Sequence, residues 1–114
     1  MDFDLYKDSI RCVLPVGYSL DTDFDLVENR IRSVISTTST LEFFDKEITP
    51  MGDGSKIKKR YYIKTKSKVW GELQIVYWPR GKYRIFYINI ISYVKEEKKK
   101  KEKKARDNLL AKLT

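Results

Sequence analysis

Apolar side chains recur along this chain at two spacings, and the two spacings predict different elements. Between positions 21 and 36 they recur every three or four residues, which predicts an amphipathic helix with one apolar face. Either Asp21 or Thr22 can cap the start of this helix. Runs rich in β-branched and aromatic residues over 9–16 and 40–48 predict one strand before the helix and one after it.

The second half of the chain contains three further runs of this kind, separated by short polar segments. A loop is predicted over 49–56, where a proline and two glycines interrupt the pattern. Pro79 and Gly81 favour a tight turn between the last two runs. The three strands are predicted over residues 57–66, 69–78 and 82–94.

The resulting order of elements, β-α-β-β-β-β-α, predicts an α+β fold with an antiparallel sheet of about five strands. We expect the amphipathic helix to pack on one face of this sheet. The lysine-rich segment that follows carries i,i+4 pairs such as Glu97 with Lys101, which predicts a C-terminal helix. We therefore predict one α+β domain over residues 1–94 and a lysine-rich helical extension over residues 95–114.

The C-terminal helix carries a short apolar stripe that can dock either on the sheet or on a protein partner. The stripe consists of Ala105, Leu109 and Leu113. Helical spacing places these three side chains on one face. The sequence leaves the choice between the two docking modes open.

Two residue counts restrict the chemistry available to this chain of 114 residues. Cys12 is the single cysteine and there is no histidine, so an intramolecular disulfide, a Cys/His zinc site and a histidine-based triad are all excluded. We predict no metal site and no cofactor. A carboxylate-based nuclease remains the main enzymatic alternative, and its candidate acids are Glu42, Asp45, Glu47, Asp53 and Glu72.

Glu72 is the only acid within the three predicted strands over 57–94. An isolated acid among cationic strands is typical of a cross-strand ion pair. We therefore expect Glu72 to have a structural role and the protein to be non-catalytic.

The pattern of charge gives no sign of export or membrane insertion. The first ten residues are acidic and lack an apolar core, unlike a signal peptide. The longest uncharged run, over 85–94, is ten residues, whereas a membrane helix needs about twenty. We expect a cytoplasmic protein. The absence of histidine and the single glutamine, Gln74, would suit a thermophilic source or a genome with biased codons.

Positive charge is concentrated in the second half of the chain. Residues 1–48 carry 5 basic and 10 acidic side chains, residues 49–94 carry 10 and 2, and residues 95–114 carry 9 and 4. The net charges of −5, +8 and +5 add up to +8 for the whole chain. Such asymmetry is typical of proteins that bind a polyanion.

Strand alternation places most of these cations on one sheet face, which is the predicted site. In the strand over 57–66, the even positions share a face and all but one are cationic. Phosphates would contact the cations, and the aromatic rings would stack on unpaired bases of RNA or single-stranded DNA. The predicted nucleic-acid-binding residues are Lys58, Arg60, Tyr62, Lys64, Lys66, Trp78, Arg80, Lys82 and Arg84.

The main prediction is therefore a non-catalytic nucleic-acid-binding module. The alternative is a protein–protein interaction module, either a subunit of a larger complex or a small viral or plasmid modulator of a host machine. The oligomeric state is left open. Burial of Trp70 and Trp78 under a helix would remove the stacking rings and favour the alternative. A solvated strand face whose lysines prevent aggregation is the simplest structural explanation of the same pattern.

Overall fold

The chain forms one six-stranded antiparallel sheet with two helices on the same side. The computed structural model describes residues 1–15, 19–35, 39–52 and 54–114. The sheet order is β1-β2-β6-β5-β4-β3, and every neighbouring pair is antiparallel. The elements are β1 (Asp2–Tyr6), β2 (Ser9–Pro15), α1 (Leu20–Ile35), β3 (Thr40–Met51), β4 (Gly54–Thr65), β5 (Lys68–Arg80), β6 (Tyr83–Ser92) and α2 (Lys98–Leu113).

This architecture confirms the predicted α+β class and corrects the strand count from five to six. The missed strand is β1, which pairs with β2 and forms an edge of the sheet. Its sequence alternates acidic with apolar residues, and Phe3 is buried while both neighbouring aspartates are exposed. The alternation of buried and exposed side chains that marks a strand is therefore present in β1. It is hard to recognise because charged residues occupy the exposed positions of this edge strand.

The segment over 49–56, predicted as a loop, is instead the tip of the hairpin between β3 and β4. The two strands remain paired as far as Met51 opposite Gly54. Pro50 is compatible with strand structure here because β3 is an edge strand. Asp53, and the ends of the first predicted strand and helix at Val16 and Ser36, lie outside the described residues.

The first helix begins at Leu20, before both of the residues predicted to cap it. Ser19 Oγ accepts a hydrogen bond from the backbone N–H of Thr22 at 3.2 Å, so Ser19 caps the helix instead of Asp21 or Thr22. Asp23, in the first turn, is buried and forms an ion pair with Arg84 of β6. This contact fixes the N-terminal end of α1 to the sheet.

The core lies between the sheet and the two helices. From α1, Phe24, Val27 and Ile31 are fully buried against the central strands. From α2, Leu109 and Leu113 are 4% and 6% exposed and belong to the same cluster. The apolar stripe of α2 therefore packs on the sheet of its own chain, and docking of this stripe on a protein partner is wrong.

The second helix also covers part of an open sheet edge. The last residues of β6 extend beyond the pairing with β2, which ends at Ile88 opposite Ile10. Glu102 of α2 accepts a hydrogen bond from the backbone N–H of Ser92 at 2.8 Å.

None of the described helices is long and apolar enough to span a bilayer. The predicted boundary between residues 94 and 95 stays a prediction.

Candidate functional site

The open face of the sheet, defined as the face opposite α1 and α2, carries most of the predicted site. Alternation along β4 places Lys56, Lys58, Arg60, Tyr62 and Lys64 there. Their neighbours on β3 are Thr49, Glu47, Asp45 and Glu42, and their neighbours on β5 include Val76, Gln74 and Glu72. The predicted row of cations therefore exists, and its environment decides what it can bind.

Acidic side chains of β3 neutralise three cations of this row. Lys58 Nζ lies 3.8 Å from Glu47 Oε2, and Arg60 NH1 lies 3.3 Å from Asp45 Oδ2. Lys64 forms an ion pair with Glu42. These acids belong to the negative first part of the chain. Antiparallel pairing places Glu47 opposite Lys58 and Asp45 opposite Arg60, whereas Glu42 reaches Lys64 diagonally. The strand is consequently not an unpaired strip of positive charge.

Arg60 makes its shortest ion pair with Glu72, on the neighbouring strand β5. Arg60 Nε donates to Glu72 Oε2 at 2.8 Å, and Arg60 NH2 donates to Oε1 at 3.0 Å. Gln74 and Tyr93 also donate to this carboxylate, at 2.9 and 2.7 Å. The hydrogen bonds from Arg60 outweigh the effect of burial and lower the pKa of Glu72 to about 2. The cross-strand ion pair predicted for Glu72 is confirmed.

The aromatic ring predicted to stack on bases is already covered. Tyr62 stacks on Phe44 with ring centroids 3.9 Å apart and an interplanar angle of 12°. Tyr93 presents its edge to the same tyrosine at 6.5 Å. The guanidinium of Arg60 lies 4.8 Å from the centroid of Phe44. One end of the open face is therefore a closed assembly of rings and ion pairs.

The remaining predicted contacts are dispersed over the molecule. Arg84 lies on the helix-covered side, where its Nε donates to Asp23 Oδ2 at 2.9 Å. Lys66 and Lys82 are exposed in the turns that precede β5 and β6. The backbone of Arg80 pairs with Tyr83, and the side chain of Arg80 lies outside what the structure describes. The nine predicted residues therefore do not form one surface.

The two tryptophans of β5 lie on opposite sides of the sheet. Ile63 pairs with Gly71 and Lys64 pairs with Val69, so a β-bulge leaves Trp70 without a partner on β4. Trp70 packs against the helix-side core beside Ala105 and Leu109 of α2. It therefore cannot stack on a ligand at the open face, whereas Trp78 faces that side.

A trough occupies the other end of the open face, and Trp78 forms part of its wall. Its volume is about 370 Å³. Lys56 lies over the indole ring of Trp78, 4.5 Å from the centroid, and Tyr6 and Tyr87 lie with ring centroids 5.7 Å apart. The residues that line the trough are Tyr6, Lys7, Ser9, Lys56, Lys58, Gln74, Val76, Trp78, Tyr87 and Asn89.

Most of this lining was beyond the sequence prediction. Tyr6 and Lys7 belong to the missed strand β1 and its turn, and Lys56 lies in the segment predicted as a loop. Tyr87 and Asn89 alternate with the buried residues of β6, a signal that could have assigned them to the open face. The order of strands in the sheet brings these segments together, although they are far apart in the sequence. The pattern of apolar residues does not predict this order.

The nuclease alternative gains no support from the arrangement of its acids. Glu42, Asp45 and Glu47 each face a cation of β4, and Glu72 is held by Arg60. Over the described ranges, which exclude Asp53, no three acidic or cysteine side chains come close enough together to hold a metal ion. The acids of this sheet instead hold its strands in register.

Comparison with known proteins identifies a shared fold. No protein-family model matches the chain, and no curated protein sequence matches it. Among solved structures, the solution structure of cyanobacterial PsbP (CyanoP) from Synechocystis sp. PCC 6803 is similar, with a TM-score of 0.50 and 13% sequence identity. The similarity covers 94% of this chain and 67% of the PsbP chain. At this identity the comparison establishes a common fold.

The prediction of a nucleic-acid-binding module is wrong. PsbP, a protein that shares the fold, gives nucleic-acid binding no support. The physical reason lies in the ion pairs. The cations of β4 that were expected to contact phosphates are paired with Glu42, Asp45, Glu47 and Glu72, and Tyr62 is covered by Phe44.

Proposed function

We infer that this chain is a protein–protein interaction module whose docking surface is the open face of the sheet. The observation that carries this proposal is the trough beside Trp78, which lies on the side that neither helix covers. Protein interfaces depend on aromatic anchors in or beside concave sites, and the trough presents Tyr6, Trp78 and Tyr87. The fold shared with PsbP supports the same class of function.

The other candidate docking elements are already used within the chain. The stripe of α2 is buried in the core through Leu109 and Leu113. The edge strand β3 carries a register shift between Phe43 and Asp45 together with several charges, features that discourage addition of another strand. The open face is therefore the surface best suited to a partner, which would make the chain a subunit of a larger assembly.

Site-specific photocrosslinking tests this proposal. The full chain would carry p-benzoyl-phenylalanine in place of Tyr87, in the trough, or in place of Arg30, on the exposed side of α1. Both variants would be irradiated in an extract of the source cells. We expect a protein adduct from position 87 and none of the same mass from position 30.

The crosslinked protein would then be identified, purified and titrated against the unmodified chain. A Trp78→Ala variant should weaken this binding by tenfold or more, because loss of a central aromatic anchor costs about 2 kcal/mol. A Leu26→Ala variant, which truncates an exposed apolar side chain of α1, is the matched control. Equal adducts from both positions, or equal binding by both variants, would disprove docking through the open face.

A further inference from the structure

We propose that the partner contributes an extended acidic segment, which binds along a continuous basic trough from Trp78 to the side of α2. This proposal rests on the function proposed above and specifies the chemistry of the partner. It starts from a second cavity of about 470 Å³, which lies between the β1–β2 turn, β6 and α2. This cavity shares Ser9, Gln74 and Asn89 with the trough, so the two cavities adjoin and are together called the groove.

The groove is wide enough for a short peptide. The residues of the first cavity come from five adjacent strands, β4, β5, β6, β2 and β1. Strands lie about 4.8 Å apart, so this part of the groove spans about 19 Å. An extended chain advances about 3.3 Å per residue, and a segment of about six residues would therefore cross the first cavity before it reaches α2.

Positive charge dominates the walls of the groove. Lys7, Lys56 and Lys58 line the first cavity, and none of the described residues that line it is acidic. Lys99, Lys103 and Arg106 line the second, together with Asp8 and Glu102. Glu102 is engaged by the backbone N–H of Ser92, and the carbonyl of Asp8 accepts a hydrogen bond from Arg106.

Three of these cations have no acidic partner within the part of the chain that the structure describes. The paired cations are Lys58 with Glu47, Lys103 with Asp107, and Arg106 with Asp8 and Asp107. Lys7, Lys56 and Lys99 form no ion pair with any described residue. These three unpaired lysines distinguish the groove from the rest of β4, where Arg60 and Lys64 are paired with acids. Carboxylates of a partner segment would complement these three charges at the two ends and along the length of the groove.

Arg106 supplies a second, independent indication of an anionic ligand. Its Nε atom is buried and makes no hydrogen bond, although Asp107 Oδ1 lies 3.9 Å away. Its NH1 group donates to Asp8 O at 3.1 Å and lies 3.8 Å from Asp8 Oδ1. A buried donor without an acceptor is costly, and an incoming carboxylate in the adjoining cavity would supply the acceptor. Aromatic rings at the other end of the groove favour a protein segment over a free inorganic anion.

Fluorescence anisotropy with defined probes tests the proposal. The probes are a fluorescein-labelled oligoglutamate peptide of about six acidic residues, the matching oligoglutamine peptide, and single-stranded oligothymidylate of equal charge. We expect the full chain to bind oligoglutamate, not oligoglutamine, and to bind oligothymidylate less tightly than oligoglutamate. Tighter binding of oligothymidylate would overturn the assignment of a protein segment.

Two triple variants of equal net charge locate the binding. The groove variant combines Lys7→Gln, Lys56→Gln and Lys99→Gln, and the control combines Lys46→Gln, Lys82→Gln and Lys100→Gln. The control lysines are exposed, and no described acid pairs with them. Three lost charge contacts should reduce oligoglutamate affinity at low salt by at least about tenfold in the groove variant. Equal losses in both variants would indicate attraction by net charge alone and overturn the proposal.

The two proposals can fail separately. A partner that crosslinks from position 87 and binds the Lys7/Lys56/Lys99 variant as tightly as the unmodified chain would leave the docking face intact and disprove the acidic segment. An Arg106→Lys variant adds a test of the buried donor, because it keeps the charge and removes Nε. We expect severalfold weaker oligoglutamate binding, and unchanged binding would disprove the role of Arg106.

Discussion

At the scale of single residues, Arg60 shows how strongly partners determine what a cation can do. Its guanidinium contacts Glu72 on one neighbouring strand, Asp45 on the other, and the ring of Phe44. Strand alternation predicts the face on which Arg60 lies. It does not predict these partners, because they come from strands that are separate in sequence.

Loss of the Arg60 side chain should destabilise the protein. Arg60→Ala leaves the buried carboxylate of Glu72 without its main donor, and we expect a loss of about 2–3 kcal/mol in the free energy of unfolding. Lys64→Ala removes the ion pair with Glu42 on the same strand and is the matched control. Because that pair is more exposed, its loss should cost less than about 1 kcal/mol. Urea denaturation measures both, and equal losses would contradict the account.

Glu72 should also make stability depend on acidity. Its pKa in the folded chain is about 2, below the ordinary value of 4.5, because Arg60 stabilises the charged form. The folded state is therefore favoured above about pH 4.5, and this contribution is lost as the pH falls towards 2. A Glu72→Gln variant should lose less stability than the unmodified chain between pH 5 and pH 2.5. Identical pH profiles in urea denaturation would show that the ion pair contributes nothing.

At the scale of elements, the bulge in β5 changes the direction of a whole side chain. The simple period of two along 69–78 places Trp70 with Trp78, and the bulge at Trp70 instead turns the indole towards α2. The adjoining Gly71 allows a close approach to β6. An ideal Cβ at this position would lie 2.3 Å from the carbonyl oxygen of Ile91.

Gly71→Ala should therefore be destabilising, since backbone atoms must move to admit the methyl group. We expect a loss of about 2 kcal/mol in the free energy of unfolding. Gly52→Ala is the control, because a Cβ at Gly52 would meet nothing within 4 Å. Its effect should stay within about 0.5 kcal/mol. A tolerated Gly71→Ala variant would show that β5 and β6 are farther apart at this point.

The second helix gives a separate test at the same scale. Leu109 is buried in the core, so Leu109→Ala should lower the free energy of unfolding by about 2–4 kcal/mol. Lys104→Ala, on the exposed side of α2, should change it by less than about 0.5 kcal/mol. Thermal denaturation of both variants distinguishes the cases. Full stability of Leu109→Ala would mean that α2 is a detachable extension, as the predicted boundary at residue 94 implies.

The elements differ in how well the sequence predicted them. The central helix and the last three strands follow regular periods, and the structure contains all four. The edge strand β1 was missed because acidic residues occupy its exposed positions, and the β3–β4 hairpin tip was missed because proline and glycine are usual loop signals. The candidate site was less predictable than the fold, since the groove is assembled from segments that only the strand order brings together.

At the scale of the whole molecule, charge that is segregated along the chain is interleaved in space. The negative first part supplies β3 and α1, whose acids pair with cations of β4 and β6. The prediction of polyanion binding assumed that the acidic and basic parts of the chain are also separate in the folded structure. Among the described residues, unpaired charges lie around the groove and on exposed turns and helix positions. The location of charge is therefore more informative than the net value of +8.

The most direct test of this account is a backbone amide chemical-shift titration of the ¹⁵N-labelled full chain with the oligoglutamate peptide. We predict the largest shifts around the groove, at Lys7, Gln74, Trp78 and Asn89 and in the first turns of α2, with α1 unchanged. Shifts concentrated instead along Arg60, Tyr62 and Lys64 of β4, or on the exposed side of α1, would contradict the assignment of the groove as the docking surface.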